Sequence, residues 1–136
     1  MSRIISLDYG IKRTGIAATD PLQIIVNPLT VIETSKLKDF LENYLNDEDV
    51  SKIVIGEGRH NDGEYYYFEN EIRELIKWIN KKFPDILTDR QDESFTSSES
   101  KEIIIRSGIK KKKRMDKTLL DKVSAVLILQ RYLKHI

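Results

Sequence analysis

An apolar run that ends in a carboxylate and doubles back through a glycine opens this chain. It reads Ile4-Ile5-Ser6-Leu7-Asp8-Tyr9-Gly10, then Ile11-Lys12-Arg13-Thr14-Gly15-Ile16-Ala17-Ala18-Thr19-Asp20. The pattern is that of a β-hairpin whose first strand, if central, delivers Asp8 to the edge of a buried sheet. A charge in such a place is costly without a partner, and a divalent cation is the most direct one. Asp and Gly are also ordinary turn formers, so the alternative is that Asp8 only shapes the reversal.

The rest of the chain extends the hairpin into a larger sheet. Strand-like stretches at about 3–8, 14–19 and 27–33 form a meander. An amphipathic helix over 36–46 follows, with Leu37, Phe40, Leu41, Tyr44 and Leu45 on one stripe. Ser51 to Gly56 reads as a buried parallel strand. A glycine-containing loop leads to a second helix, about 65–82, with Phe68, Ile72, Leu75, Ile76 and Ile79 on one face and Pro84 beyond its end. A further strand spans Asp85 to Gln91. The capping box Thr96-Ser97-Ser98-Glu99 starts a helix that ends near Gly108, and a last helix runs from about Thr118 to Leu133. The expectation is one α/β domain, residues 1–136, with a five-stranded mixed sheet of a three-strand meander plus two parallel strands, flanked by helices on both faces. The first strand is central in that arrangement.

Composition narrows the chemistry. The 136 residues contain no cysteine, which removes disulfides, thiolate metal sites and cysteine nucleophiles. No run reaches the roughly 20 apolar residues that span a bilayer, and no stretch suits a signal peptide. A cytoplasmic protein with no membrane partner is expected, either monomer or weak homodimer. Asp8, Asp92 and Glu93 fall at the C-terminal ends of predicted strands, and Glu57 follows the strand ending at Gly56. That edge of an open α/β sheet is where ligand sites form. Asp121 shares a helical stripe with Ala125, Ile128 and Tyr132, or it is only an acid in the first turn of a helix. Acidic groups gathered in this number need cations. Hard oxygen donors, with only His60 and His135 as nitrogen alternatives, suit Mg²⁺ or Mn²⁺. Two such ions a few ångströms apart support phosphodiester hydrolysis.

The net charge of +1 hides a basic block: Lys110, Lys111, Lys112, Lys113, Arg114 and Lys117 lie within eight residues, just before the helix bearing Asp121. Such runs are often only solvated, yet lysines rimming an acidic centre fit a phosphate polymer. Lys12, Arg13 and Arg59 join the block as candidate nucleic-acid contacts. The aromatic run Tyr65-Tyr66-Tyr67-Phe68 either packs into the core or stacks unpaired bases. The loop after Gly56 lacks the closing residues of a P-loop.

These segments together resemble the YqgF family, also called RuvX, of bacterial ribonuclease-H-like nucleases. The resemblance covers essentially the whole chain. It rests on Asp8 to Ala17 with Asp20, on Gly56 with Asn61-Asp62-Gly63, on Asp92-Glu93-Ser94-Phe95-Thr96-Ser97, and on Asp121 to Gln130. It implies a ribonuclease H-like fold and a divalent-metal nuclease with Asp8, Glu93 and Asp121 as catalytic metal ligands; Glu57 and Asp92 are further candidates. It also implies a nucleic-acid substrate, structured RNA or branched DNA. Members are described as nucleases for the 5′ end of precursor 16S ribosomal RNA and as Holliday-junction resolvases; a catalytically silent binding module is the remaining alternative. Three positions depart from the family pattern: Ser94 stands in place of Arg, Gly58 in place of Pro, and Glu57 in place of an apolar residue. The Asp-x-Gly hairpin also opens the sugar-kinase and actin fold, which needs two lobes and over twice this length.

Overall fold

The computed structural model describes residues 2–59, 62–93 and 117–135, with side chains from Lys122 onward in the last stretch. The capping-box helix and residues 110–116 of the basic block lie outside the described residues, as do His60 and Asn61. Strands β1 (Arg3–Tyr9), β2 (Arg13–Thr19) and β3 (Val26–Glu33) come first. One 3₁₀ turn (Thr34–Lys36) leads into α1 (Leu37–Asp47), and then come β4 (Val50–Glu57), α2 (Glu69–Lys82), β5 (Leu87–Asp92) and α3 (Lys117–Tyr132). The strands make one sheet in the order β3-β2-β1-β4-β5. β1 to β3 form the antiparallel meander, and β4 and β5 run parallel to β1. β1 is therefore central, as expected.

Burial on both faces explains why β1 reads as an unbroken apolar run. Its period-2 alternation divides the residues between two layers. Ile5 and Leu7 join Ile16, Ile53 and Ile55 beneath α1 and α2, whose Leu37, Leu41, Leu45, Ile72, Leu75 and Ile79 are buried. Ile4 and Val54 meet Ile128 and Leu129 of α3 on the opposite face. Ser6 is on that second face too, and its hydroxyl donates to the Ala125 carbonyl at 2.7 Å. This bond satisfies a buried polar group and pins α3 to β1.

The direction of α3 follows from two contacts. Ala125 sits beside Ser6, while the Tyr132 hydroxyl accepts from Lys52 Nζ at 2.8 Å, and Lys52 pairs with Ile4. Ala125 is thus nearer the C-terminal end of β1, and α3 runs antiparallel to that strand. Its N-terminal turns approach the edge that carries Asp8.

Two boundaries differ from the sequence reading. Helix α2 begins at Glu69 rather than near 65, because Tyr65 and Tyr66 are held by the chain leaving β4. Tyr65 bridges Arg59, and the Tyr66 N–H donates to the Gly58 carbonyl at 3.2 Å. β5 begins at Leu87 rather than Asp85, since the Ile86 N–H closes a turn onto the Phe83 carbonyl. Among the described residues, no helix is long and apolar enough to cross a membrane.

Candidate functional site

Strands β1, β4 and β5 all end at one edge of the sheet, and it is there that Asp8, Glu57, Asp92 and Glu93 gather. Asp8 shares the α3 face with Ile4 and Ser6 by alternation along β1. Across the sheet its partner in β2 is Gly15, and the continuation of the β1–β4 register sets Gly56 on its other side. Two residues without side chains flank it.

The Glu93 N–H donates to the Glu57 carbonyl at 3.2 Å, prolonging the β4–β5 ladder by one residue. Its carboxyl then lies over Gly56, where a Cβ would come within 2.8 Å of Cδ and Oε2 and within 2.9 Å of Ile128 Cδ1. Gly56 is needed for this close approach. Burial holds the Glu93 carboxyl above the usual carboxylate range; a hydrogen bond with Asp8 and the Arg90 guanidinium act against that rise, and Asp92 and Glu69 add to it. The two carboxyl groups are thus neighbours within hydrogen-bonding reach, and burial disfavours charge on Glu93. They line a cavity of about 190 Å³ together with Tyr9, Gly10, Arg13, Tyr66 and Phe68.

The other candidates take different places. Glu57 alternates onto the α2 face, where Arg59 Nη2 contacts its Oε1 at 3.1 Å and Arg90 Nη1 its Oε2 at 3.9 Å. Asp92 pairs with Glu57 in the ladder and is exposed. Arg13 reaches the cavity wall, whereas Lys12 is exposed in the hairpin turn. Arg59 donates to the Tyr65 hydroxyl at 2.7 Å and lies 4.4 Å from that ring's centre. Helix position 121 falls one turn before Ala125 and two before Ile128; the Asp121 and Lys117 side chains lie outside the described residues. Asp20 serves the fold, accepting the N–H groups of Leu22, Ile24 and Ile25, and these bonds hold its pKa low.

The sequence reading offered the aromatic run core packing or base stacking as a whole, and gave Arg90 and Glu69 no functional role. Tyr66 lines the cavity because Gly58 lets its ring approach the backbone; a Cβ at that position would lie 2.3 Å from Tyr66 Cε2. Arg90 and Glu69 form a two-pronged ion pair beneath the end of β4, with both distances 2.8 Å. The signal for Arg90 was an arginine in the middle of a strand that parallel pairing half-buries.

The donor set suits a hard divalent cation. Asp8 and Glu93 offer carboxylate oxygens alone, and a bound cation would favour their charged forms. Among the described residues, no three acidic or imidazole groups converge on one point. A third ligand would have to come from outside them.

Comparison with known proteins agrees with this architecture. The RuvX family model, described as Holliday junction resolvase, matches residues 2–135. The chain belongs to the RuvX family. A relative in Christiangramia forsetii, named "Putative pre-16S rRNA nuclease", is 45% identical over 133 residues and spans 98% of both chains. Relatives of the same name occur in Bacteroides fragilis, 42% identical over 134 residues (98% of this chain, 97% of the relative), and in Porphyromonas gingivalis, 45% identical over 135 residues (99% and 98%). The Fowlpox virus resolvase, solved with its Holliday junction DNA, shares the fold with a TM-score of 0.58 at 14% identity, over 98% of this chain and 97% of that one. The fold of this RuvX member is ribonuclease H-like, as its sequence resemblance implied.

Proposed function

We propose that this chain is a divalent-metal-dependent endonuclease that hydrolyses phosphodiester bonds at the Asp8–Glu93 edge, and that its role is maturation of the 5′ end of precursor 16S rRNA. The observation that carries this reading is the carboxyl pair itself. Two acids held side by side, with Glu93 buried, in a cavity with Arg13 in its wall, are arranged for a cation and a phosphate. Asp8, Glu93 and Asp121 would hold Mg²⁺ or Mn²⁺; bound there, the metal supplies an activated water and a Lewis acid for the leaving oxygen. Arg13 meets the phosphate charge, and Gly56 lets the Glu93 carboxyl reach the site. The names of the relatives favour ribosomal RNA. Cleavage of four-way DNA junctions is the second reading, favoured by the family's description. The deciding experiment incubates a precursor 16S leader and a synthetic four-way junction with the protein, in Mg²⁺ and in EDTA. Metal-dependent cutting of the leader supports the first reading, cutting of the junction alone the second, and cutting of neither overturns both.

Gly56→Ala tests the pair without touching either acid. The new methyl must push aside flexible ends, the Glu93 carboxyl and Ile128 Cδ1, so stability should fall by only about 1 kcal/mol. Cleavage should fall about 100-fold, because a displacement near 1 Å at a reacting centre costs that much. Comparing thermal melts with cleavage rates reads the two effects separately; loss of stability in step with activity would mean Gly56 serves packing alone.

The basic block supplies the remaining affinity in this reading. Replacing Lys110, Lys111, Lys112 and Lys113 with alanine should weaken binding uniformly across sequences. The slope of log affinity against log salt should flatten by about 3 to 4. An unchanged slope in a salt titration would place the binding surface elsewhere.

A further inference from the structure

Next to the cavity, one aromatic ring is exposed where its neighbours are committed. Tyr65 is engaged by the guanidinium groups of Arg59 and Arg73, at 4.4 and 5.3 Å from its ring centre. Tyr66 rests on Gly58 in the cavity wall, and Phe68 packs against the core beside Tyr9. Tyr67 is 79% exposed. Its ring meets Phe68 at 5.3 Å and 81°, a contact that steadies it while most of its surface faces water. The segment is anchored on both sides, by the Tyr66 N–H on the Gly58 carbonyl and by the first turn of α2, where the Glu69 N–H donates to the Tyr66 carbonyl at 3.0 Å.

We infer that Tyr67 is a stacking platform for an unpaired nucleobase beside the bond cut at the Asp8–Glu93 site, so that the substrate is a strand single-stranded at the cut. The inference rests on the nuclease reading above and narrows its substrate class. Exposing an aromatic ring forgoes the burial that would reward it in a core, and the ring meets Phe68, which lines the cavity with both carboxyls. A strand whose phosphate enters beside Arg13 brings its neighbouring base to this rim. An unpaired base gains a ring face there, and every base has one, so the contact is tolerant of sequence and of sugar. A base in a duplex is already stacked on both sides and gains nothing. Tyr67 is thus a specificity-determining residue that distinguishes unpaired from paired substrate.

The test measures binding of a fluorescent twelve-nucleotide strand and of the same strand annealed to its complement, each as DNA and as RNA. It uses Asp8→Asn protein in Mg²⁺ so that the probe survives. Tyr67→Ala should weaken single-strand binding about 5- to 100-fold while changing duplex binding by less than about 2-fold. Tyr67→Phe should restore single-strand binding, since it keeps the ring, and Leu87→Ala, at an exposed apolar position on the opposite end of β5, should change neither. With otherwise unaltered protein, Tyr67→Ala should raise KM for a single-stranded substrate and leave kcat in place. Single-strand binding unchanged by Tyr67→Ala, or equal losses on strand and duplex, would overturn the platform while leaving a metal-dependent nuclease intact. Absence of metal-dependent cleavage in the unaltered protein would instead remove the nuclease reading.

Discussion

Asp8→Asn should lower kcat/KM for phosphodiester cleavage by at least about 1,000-fold, the scale of losing several kcal/mol of metal-borne stabilisation of the transition state. The metal-free protein should be as stable as before or slightly more so. The asparagine amide can donate to the Glu93 carboxyl, and one of two adjacent acids is removed. The opposing view, that Asp8 merely shapes the hairpin, meets the turn's own structure. The reversal is held by Gly10, where a Cβ would come within 2.6 Å of the Arg13 carbonyl, and by Thr34, whose hydroxyl donates to the Gly10 carbonyl at 2.6 Å. Glu57→Gln is the comparison, and it should cost far less, since that carboxylate is engaged by Arg59 and Arg90 on the other face. Cleavage rates and melts in EDTA read both halves of the expectation. Activity surviving in Asp8→Asn protein freed of contaminating nucleases would end the metal mechanism.

What could be seen in the chain beforehand was set by local pattern. β1 announced itself because a strand buried on both faces has no polar alternation, and α1 because Leu37, Leu41 and Leu45 recur at the helical period. The same logic misled at α2. Tyr65 to Phe68 continue the apolar character of the helix, but a backbone bond from Tyr66 to Gly58 decides their conformation, and periodicity carries no trace of it. Asp8 and Glu93 were legible as acids at strand ends; that they come together depends on Gly56 leaving room for the Glu93 carboxyl. The pairing of Glu69 with Arg90 spans 21 positions and crosses from helix to strand, beyond any local signal.

That ion pair underlies the largest expected effect on stability. Glu69 is only 6% exposed, and both of its oxygens accept from Arg90 at 2.8 Å. The same guanidinium caps the end of β4, donating to the Ile55 carbonyl at 3.2 Å and the Gly56 carbonyl at 3.0 Å. Arg90→Met leaves a buried carboxylate with Arg73 alone, and should cost about 3–5 kcal/mol at neutral pH. Arg73→Ala, which removes a half-exposed partner, should cost about 0–1 kcal/mol. The pH dependence carries the sign. Hydrogen bonds from Arg90, before any other cause, hold the Glu69 carboxyl below its ordinary value. Its stabilising contribution is therefore complete above the ordinary carboxylate pKa of about 4.3 and fades as pH falls through the lowered folded value. In Arg90→Met the weakly partnered carboxyl prefers its proton, so stability there declines as pH rises. Urea denaturation should accordingly find the two proteins closest near pH 4 and furthest apart near pH 7.5. Adding Glu69→Leu to Arg90→Met should recover much of the loss, since it removes the stranded charge. A difference independent of pH, or one the second substitution does not relieve, would mean that Arg90 acts through its bonds to the β4 carbonyls and not through Glu69.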